Sequence, residues 1–375
     1  MRKHLIIALF AVTAALSGCR SHAELNEIAI AEAVGIDRDG NGCTVTLQYF
    51  NTDTTGGTTA IDSSKPNAVT VTGKGETIES ALEAVSYSSG RNILLGSAGL
   101  IVFGRDAAGD LGDSLSFAMS HYTGNPRAFI AVSETSAADI LNVKFSEGNA
   151  SVEKLECMLR NAEDLGLSCP TVLHEAAEML SAPGKSAVLP LLEMSRSGSE
   201  LTEEGNTVLL TGGAVCTPEG VAAELSPEDM SGLCLLMNDG AKCDMTVICR
   251  GKNVRVMLYG TKTRITPHFA DNRLRFGVNV SADCKIVTSQ LPDPFSERAA
   301  IERLVGSEVC RRVRSLLAKS VTAAGADPAE LCYKIRAHSP QVWENISEDL
   351  SGYLENAVFD VTSDIKMERY GVMHG

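Results

Sequence analysis

The fold class is decided by the stretch RLRFGVNVSADCKIVT (residues 273–288) together with SERAAIERLVGSEVCRRVRSLLAKSVTAAG (residues 296–325). In the first stretch, apolar and polar residues alternate, which is typical of strands with one buried face. The second stretch predicts one long amphipathic helix, capped by Ser296 and ending near Gly325. Such strands and such a helix bury their apolar faces by packing together, so we expect a sheet covered by helices.

Similar alternation of strands and helices occurs upstream. CTVTLQYF (43–50) has strand periodicity, ETIESALEAVSYSS (76–89) has helical spacing, and AGLIVFG (98–104) is typical of a buried strand. Because strict βαβ alternation is lacking, we predict the α+β class, with three domains in series and a mostly antiparallel or mixed sheet packed with helices in each. The predicted units are an N-terminal domain (19–145), a middle domain (146–266) and a C-terminal domain with the long helix (267–375).

The N-terminus has the pattern of an export signal. Three polar or basic residues precede LIIALFAVTAAL (5–16), which is too short to span a bilayer because that requires about 20 residues. LSGC (16–19) resembles the lipobox of bacterial lipoproteins, in which the cysteine is acylated and becomes the new N-terminus. We therefore predict a lipoprotein signal peptide at 1–18 and lipid attachment at Cys19, against the alternative of an ordinary secreted protein with an unmodified cysteine.

The charge of the chain restricts its partners. Cleavage after residue 18 removes Arg2 and Lys3, so Lys+Arg falls from 33 to 31 against 47 Asp+Glu and the net charge goes from −14 to −16. An acidic protein repels phosphate backbones and anionic lipid headgroups, which argues against nucleic-acid binding. Membrane attachment is then expected through the N-terminal lipid rather than through a basic surface.

Eleven cysteines raise the question of disulfides, since an exported protein meets oxidising conditions. Without Cys19 ten remain, and they include no C-x-x-C pair. Scattered cysteines in a long chain are more often small buried hydrophobic residues, which is the prediction favoured here. Cys243 and Cys249, near Cys234, are the one pair considered for a bridge between neighbouring strands. Zinc-ligand spacing is lacking, and no cofactor is predicted.

DRDGNG (37–42) has the spacing of a calcium loop, with Asp37, Asp39 and Asn41 as oxygen ligands. Its flanks, however, are predicted strands, and Gln48 stands where an EF-hand loop ends in glutamate. Asp, Asn and Gly are also the residues that hairpin turns favour. The sequence therefore predicts a hairpin turn at this position and no calcium site.

Catalytic motifs are incomplete. HEAAE (174–178) has Glu178 where a zinc protease needs a second histidine, so an exposed polar helix face is predicted. GKS (184–186) has Met179 in place of the glycine that a phosphate-binding loop needs, and no G-x-S-x-G occurs. Trp343, the single tryptophan, is expected in the core, with a partner surface as the alternative. We predict no catalytic residues and no enzyme.

Several stretches, in the same order and spacing, resemble the Ger(x)C family of spore germination proteins, the lipoprotein subunits of nutrient germinant receptors. They are LSGC, ELNEIAIAEAVGIDRDGNG (24–42), AGLIVFGRD (98–106), AFIAVSETSAADIL (128–141), GGAVCTPEGVAAELSPEDMSGL (212–233), the helix from Ser296, SPQVW (339–343) and the final strand ending in ERYG (368–371). The chain departs from the family in having Arg20 and Ser21 where Trp-Asp is frequent, and in AAGADPAELCYKI (323–335).

The resemblance implies three α+β domains, no catalysis, and a position on the outer face of the cell or inner spore membrane beside polytopic receptor subunits. Cys19 is the residue to which it assigns a role, lipid attachment. It leaves open whether this subunit contacts the nutrient itself. The alternative function is a solute-binding lipoprotein of an importer, which predicts two lobes and a small-molecule pocket. A lipid-anchored hydrolase would need a converging acid, base and nucleophile.

Overall fold

A computed structural model describes residues 27–368, except residues 41, 51–67, 121–123, 144–150, 170, 183, 185, 197–205 and 238. Two sheets packed with helices make up this part of the chain, so the predicted α+β class is confirmed.

The first sheet has ten strands. In chain order they are β1 (Ile28–Asp39), β2 (Gly42–Phe50), β3 (Ala68–Gly75), β4 (Asn92–Leu94), β5 (Leu100–Phe103), β6 (Phe129–Ser133), β7 (Thr171–Val172), β8 (Ala187–Arg196), β9 (Asn206–Thr217) and β10 (Gly220–Leu225). Their spatial order is β10-β9-β8-β6-β5-β1-β2-β3, with β4 paired to β1 and β7 to β6. The inner strands β1, β5, β6 and β8 are parallel, whereas β1–β2–β3 and β8–β9–β10 are antiparallel, so the sheet is mixed.

Helices cover both faces of the first sheet. One face packs against α1 (Ile78–Ser89), α2 (Leu111–Ser120) and α5 (Leu173–Ser181), and the other against α3 (Ala137–Leu141) and α4 (Ser151–Asp164). Successive residues of β5 alternate between the two cores, and all four are buried. A strand covered on both faces must be apolar throughout, which explains the continuous apolar run of AGLIVFG.

The second sheet has the order β11-β12-β13-β14, formed by β11 (Cys243–Cys249), β12 (Lys252–Ala270), β13 (Arg273–Ser289) and β14 (Val358–Met367). The first three strands are antiparallel, and β14 is parallel to β13. Five helices pack with the second sheet: α6 (Pro227–Met237), α7 (Arg298–Leu317), α8 (Leu331–His338), α9 (Pro340–Ile346) and α10 (Leu350–Glu355). They contribute to one hydrophobic core with the buried face of the sheet. The first sheet with its helices is called the first half of the fold, and the second sheet with its helices the second half.

Two tight turns set the register of the second sheet. Cys249 pairs with Lys252 and Ala270 with Arg273, so each hairpin has a two-residue loop. Both residues of the second loop, Asp271 and Asn272, have positive φ angles of 52° and 57°. Positive φ at both positions defines the type I′ turn, whose twist matches that of the paired strands.

The long helix differs from its prediction at the N-terminus. α7 begins at Arg298, and the hydroxyl of Ser296 donates to the carbonyl of Asp293 (2.8 Å) instead of capping the helix. The Asp293 carboxylate accepts from the N–H of Phe295 (3.1 Å), so an aspartate turn before the helix uses these polar groups. A wider helical turn continues to Thr322, consistent with an end near Gly325.

The number of sheets differs from the expectation of one sheet in each of three units. Strands from both sides of the predicted boundary at 145/146 join the first sheet, and β12 extends across the boundary at 266/267. The reason is long-range pairing: β8 lies beside β6, and β13 pairs with nearly the whole of β12. Alternation within a strand does not specify its partner. The three-domain division stays a prediction.

Candidate functional site

Cys19, the predicted lipid-attachment residue, lies outside the described residues, and its modification stays a prediction. The first described strand, β1, begins at Ile28, where it pairs in parallel with β4 over Asn92–Leu94. β1 then continues through the middle of the first sheet between β2 and β5. The first strand of the described residues is therefore a central strand of the first sheet.

Exposed apolar residues lie in or near β4, the strand that pairs with the start of β1. Tyr87, in the last turn of α1, is 84% exposed, and Leu94, at the end of β4, is 39% exposed. Arg91, between them, stacks over the ring of Tyr49 with 5.7 Å from guanidinium carbon to ring centroid. These residues adjoin the strand that pairs with the start of β1.

The DRDGNG stretch forms the predicted hairpin. β1 and β2 pair antiparallel, with Asp39 opposite Gly42. The carboxylate of Asp37 accepts hydrogen bonds from the backbone N–H groups of Ala137 (2.7 Å) and Ala138 (3.1 Å) at the start of α3. Burial raises the pKa of Asp37, and the two backbone hydrogen bonds oppose that rise. The aspartate at the first position of the calcium pattern thus caps a helix.

HEAAE lies on α5, as predicted. The Nδ1 atom of His174 is 2.9 Å from the carbonyl oxygen of Pro126, and Glu175 accepts from the N–H of Val172 at the start of the helix. These contacts attach α5 to the segment before β6 and to the end of β7. Among the described residues, no three His, Cys, Asp or Glu side chains are arranged to hold a metal ion.

Ser186, the last residue of GKS, connects the two halves of the fold. The hydroxyl of Ser186 accepts from the N–H of Asp327 (3.1 Å), and the fully buried Asp327 carboxylate accepts from the N–H groups of Leu331 (2.8 Å) and Cys332 (2.7 Å). Burial raises the pKa of Asp327 despite these bonds. The Asp327 side chain therefore caps the start of α8. The contact of Asp327 with Ser186 could not be predicted from the sequence, because only the tertiary fold brings these two residues together.

Cysteines are mostly buried, as predicted, and all ten from Cys43 to Cys332 are free. Cys243 and Cys249 lie at opposite ends of β11, so they do not face each other across neighbouring strands and the bridge considered for them is wrong. A single strand keeps its ends apart because it rises about 3.3 Å per residue. Trp343 is half-buried on α9 and packs against the hydrophobic core of the second half, in agreement with the favoured core position.

An apolar groove of about 550 Å³ lies between α4 and β9. Aliphatic side chains dominate its lining, including Met158, Leu165, Leu209 and Leu210. Such a lining suits an apolar group and gives no arrangement for acid–base chemistry.

A second, polar cleft of about 450 Å³ lies between the end of α5, the β9–β10 turn and the turn before α10. Glu219, Glu348 and Asp349 are among its lining residues, so its charge favours cationic over anionic groups. Neither cleft assembles the acid, base and nucleophile of a hydrolase.

None of the helices in the described ranges combines the length and apolar character needed to cross a bilayer. Within the second half, charged and polar contacts connect α6 to the turn after α7. Lys319, after α7, donates to the buried carboxylate of Asp229 on α6 (2.5 Å), and the Ser226 hydroxyl donates to the same oxygen (2.7 Å). Ser226 and Asp229 cap the start of α6, since the side chain of each accepts a hydrogen bond from the backbone N–H of the other.

Comparison with known proteins gives two family matches. The model described as "Spore germination protein N-terminal domain" matches residues 21–194, and "Spore germination B3/ GerAC like, C-terminal" matches residues 211–371. The fold is similar to that in "Crystal Structure of the GerBC protein", with a TM-score of 0.59 and 14% identity over 89% of this chain and 96% of that chain. No curated protein matches the chain. On the two consecutive family matches, the chain belongs to the GerAC-like, or Ger(x)C, family of spore germination proteins.

Proposed function

We propose that the chain is the lipid-anchored subunit of a spore nutrient germinant receptor and that it acts beside polytopic membrane subunits. The family matches over 21–194 and 211–371 are the observation that carries this proposal. Family members are non-enzymatic receptor subunits, and membership confirms the prediction that this chain is not an enzyme. Three features are proposed: assembly into the receptor complex, attachment of the lipid, and location at the membrane.

Lipid attachment at Cys19 is supported by the position of the family match. The match to the N-terminal family model begins at residue 21, two positions after Cys19, so it starts close to where the acylated N-terminus would be. Ile28, the first residue of β1, lies nine positions after Cys19, and an extended chain over nine positions spans at most about 30 Å. The lipid would therefore hold the first sheet close to the outer face of the cell or inner spore membrane.

Anchoring would assist assembly with membrane-embedded subunits. A protein confined to the membrane surface meets its neighbours at a high effective concentration, without requiring additional contacts. The net negative charge gives no electrostatic attraction to anionic lipids, so the lipid chains supply the attachment.

The test is Cys19→Ala in the full chain, followed by labelling with a fatty-acid analogue and membrane fractionation. Cys157→Ala is the matched control because Cys157 is the exposed cysteine on α4, far along the chain from the signal. We expect Cys19→Ala to lose the label and membrane retention, while Cys157→Ala keeps both. Equal labelling and retention of the two variants would contradict lipid attachment at Cys19.

The receptor assignment has its own test, co-purification from detergent-solubilised membranes. We expect polytopic receptor subunits to accompany the wild-type chain. Recovery of importer subunits instead, together with tight binding of an amino acid or sugar by the isolated protein, would support the alternative function of a solute-binding lipoprotein.

A further inference from the structure

Two thiols from distant parts of the sequence meet inside the protein. The sulfur atoms of Cys169 and Cys234 are 3.2 Å apart, although 65 positions separate the residues. Cys169 lies in the short segment between α4 and β7, and Cys234 lies in the middle of α6. The sulfurs must approach by only about 1.2 Å more to reach the roughly 2.05 Å of a disulfide bond.

The pair connects the two halves of the fold. Cys169 belongs to the part matched by the N-terminal family model and Cys234 to the part matched by the C-terminal one. The segment that holds Cys169 is pressed against the start of the second sheet: Gly166 has a φ angle of 66°, and a Cβ there would lie 2.6 Å from the Lys242 carbonyl oxygen. A covalent bond at this point would fasten a loop of the first half to a helix of the second.

Backbone contacts on both sides hold Cys169 in position. The hydroxyl of Thr171 is within hydrogen-bonding distance of two carbonyl oxygens, those of Cys169 (3.2 Å) and Val188 (2.9 Å). The Cys234 thiol donates to the Ser168 carbonyl (3.7 Å). These hydrogen bonds hold the segment around Cys169 beside α6, with the two sulfurs 3.2 Å apart.

The two thiols differ in accessibility. Cys169 is half-buried, whereas Cys234 is 2% exposed. The hydrogen bond with Cys169 and burial together raise the pKa of the Cys234 thiol. A dissolved oxidant therefore meets Cys169 first, and Cys234 is placed to attack the Cys169 sulfur once Cys169 is bonded to a sulfur of the oxidant.

We propose that Cys169 and Cys234 form a reversible disulfide that fastens the two halves of the protein under oxidising conditions. The oxidant is a disulfide compound. The Cys169 thiolate attacks one of its sulfurs and releases the first thiol, and Cys234 then loses its proton and attacks the Cys169 sulfur, releasing the second thiol. Two protein thiols are oxidised and one external disulfide is reduced to two thiols, so atoms and electrons balance.

A third thiol gives a competing outcome. Cys243 lies near Cys234, and its sulfur accepts from the guanidinium of Arg312 at 3.5 Å. Burial raises the pKa of Cys243, and Arg312 acts in the opposite direction. A Cys234–Cys243 bond would join neighbouring elements within the second half and would leave the two halves unfastened, so the test must identify the bonded pair.

The experiment uses the full chain, incubated with excess oxidised glutathione and then mapped by non-reducing peptide mass spectrometry and thermal unfolding. We expect a peptide pair linking Cys169 to Cys234, two hydrogen masses lighter than the reduced pair, and a rise in Tm of roughly 5 °C that dithiothreitol reverses. Cys169→Ser, at a half-buried position, is expected to fold and to lose both signals. Cys157→Ser is the matched control and should retain both.

Three results would overturn the proposal: a folded wild-type chain without the 169–234 link, a link between Cys234 and Cys243 instead, or an unchanged Tm rise in Cys169→Ser. The reaction takes place between residues of the purified chain and does not involve Cys19. Failure of lipid attachment and failure of this disulfide are thus separate observations.

Discussion

The carboxylate of Asp37 accepts a 2.7 Å hydrogen bond from the backbone N–H of Ala137, one hundred positions further along the chain. A second bond from Ala138 (3.1 Å) gives the same carboxylate two donors at the first turn of α3. Ser136 caps the same helix by accepting from Asp139. A five-residue helix is unstable alone, so these caps, together with burial of its apolar side, explain why α3 forms on the sheet.

Asp37→Ala is expected to destabilise the protein by about 2 kcal/mol, because it removes both backbone hydrogen bonds and leaves N–H groups at the helix start without an acceptor. Urea unfolding measures the loss. Asp39→Ala, at the exposed hairpin turn two residues away, is the control and should change stability by less than about 0.5 kcal/mol. Equal losses in the two variants would show that the cap contributes nothing.

Most elements of the fold could be predicted because their periodicity is local. The alternation in 273–288 and the helical spacing in 296–325 both correspond to observed elements, β13 and α7. β3 was missed, since Gly73 and Gly75 interrupt its strand pattern. Three-residue β4 is too short to show periodicity.

The arrangement of the sheets and the contacts between distant residues could not be predicted in the same way. Parallel pairing of β6 with β8 depends on which strands meet after folding, and no local signal specifies it. In the sequence Cys234 lies near Cys243 and Cys249, whereas in the fold its sulfur is in contact with that of Cys169. Cys19, by contrast, is predicted from a short motif that requires no tertiary structure.

Asp327 gives the stability a defined pH dependence. Its pKa is raised by burial, so the folded protein holds this proton more tightly than the unfolded chain. The sign follows from linkage: as pH rises from about 4 through the folded pKa, ionisation of Asp327 disfavours the folded state. We expect the free energy of unfolding of the wild type, relative to Asp327→Asn, to decrease over this interval in urea titrations.

Asp229 serves as the comparison for Asp327, because its contribution to stability should depend on pH in the opposite direction. Burial raises its pKa, but the hydrogen bonds from Lys319 and Ser226 outweigh that effect and the net pKa is lowered. Its contribution is therefore present above about pH 4 and is lost as pH falls through the folded pKa. The amount by which the free energy of unfolding of the wild type exceeds that of Asp229→Asn should therefore decrease at acidic pH. The same sign of pH dependence for both carboxyl groups would refute the opposed shifts.

Lys319→Ala tests the ion pair that joins α6 to the turn after α7. The Asp229 carboxylate is almost completely buried and loses its cation in this variant, while Lys319 itself is half exposed. Solvent around Lys319 weakens the effect relative to a fully buried pair, so we expect a loss of about 1–2 kcal/mol in urea unfolding.

Lys366→Ala is the control for this substitution. Lys366 is 3.7 Å from Asp364 and both side chains are well exposed, so the variant should change stability by less than about 0.5 kcal/mol. If Lys319→Ala is no more destabilising than Lys366→Ala, the buried carboxylate does not depend on its lysine.

The close contact between β3 and α1 requires a glycine, which has no side chain, at position 73. A Cβ at Gly73 would lie 2.3 Å from the Ala81 carbonyl oxygen and 2.6 Å from the Val85 nitrogen, both of them backbone atoms of α1. Because backbone cannot move aside as a flexible side chain can, Gly73→Ala must displace the helix from the strand. We expect a loss of about 1–3 kcal/mol, the usual range for overpacking, measured by urea unfolding.

Gly109→Ala is the matched substitution, since a Cβ at Gly109 meets no atom within 4 Å. Its helical turn between β5 and α2 should accept alanine with little change or a slight gain in stability, because alanine restricts the unfolded chain. Hydrogen exchange adds a second measurement: Gly73→Ala should speed exchange in α1 and β3, while Gly109→Ala leaves both unchanged. Unaltered protection of α1 in Gly73→Ala would mean that the helix does not require the close approach at Gly73.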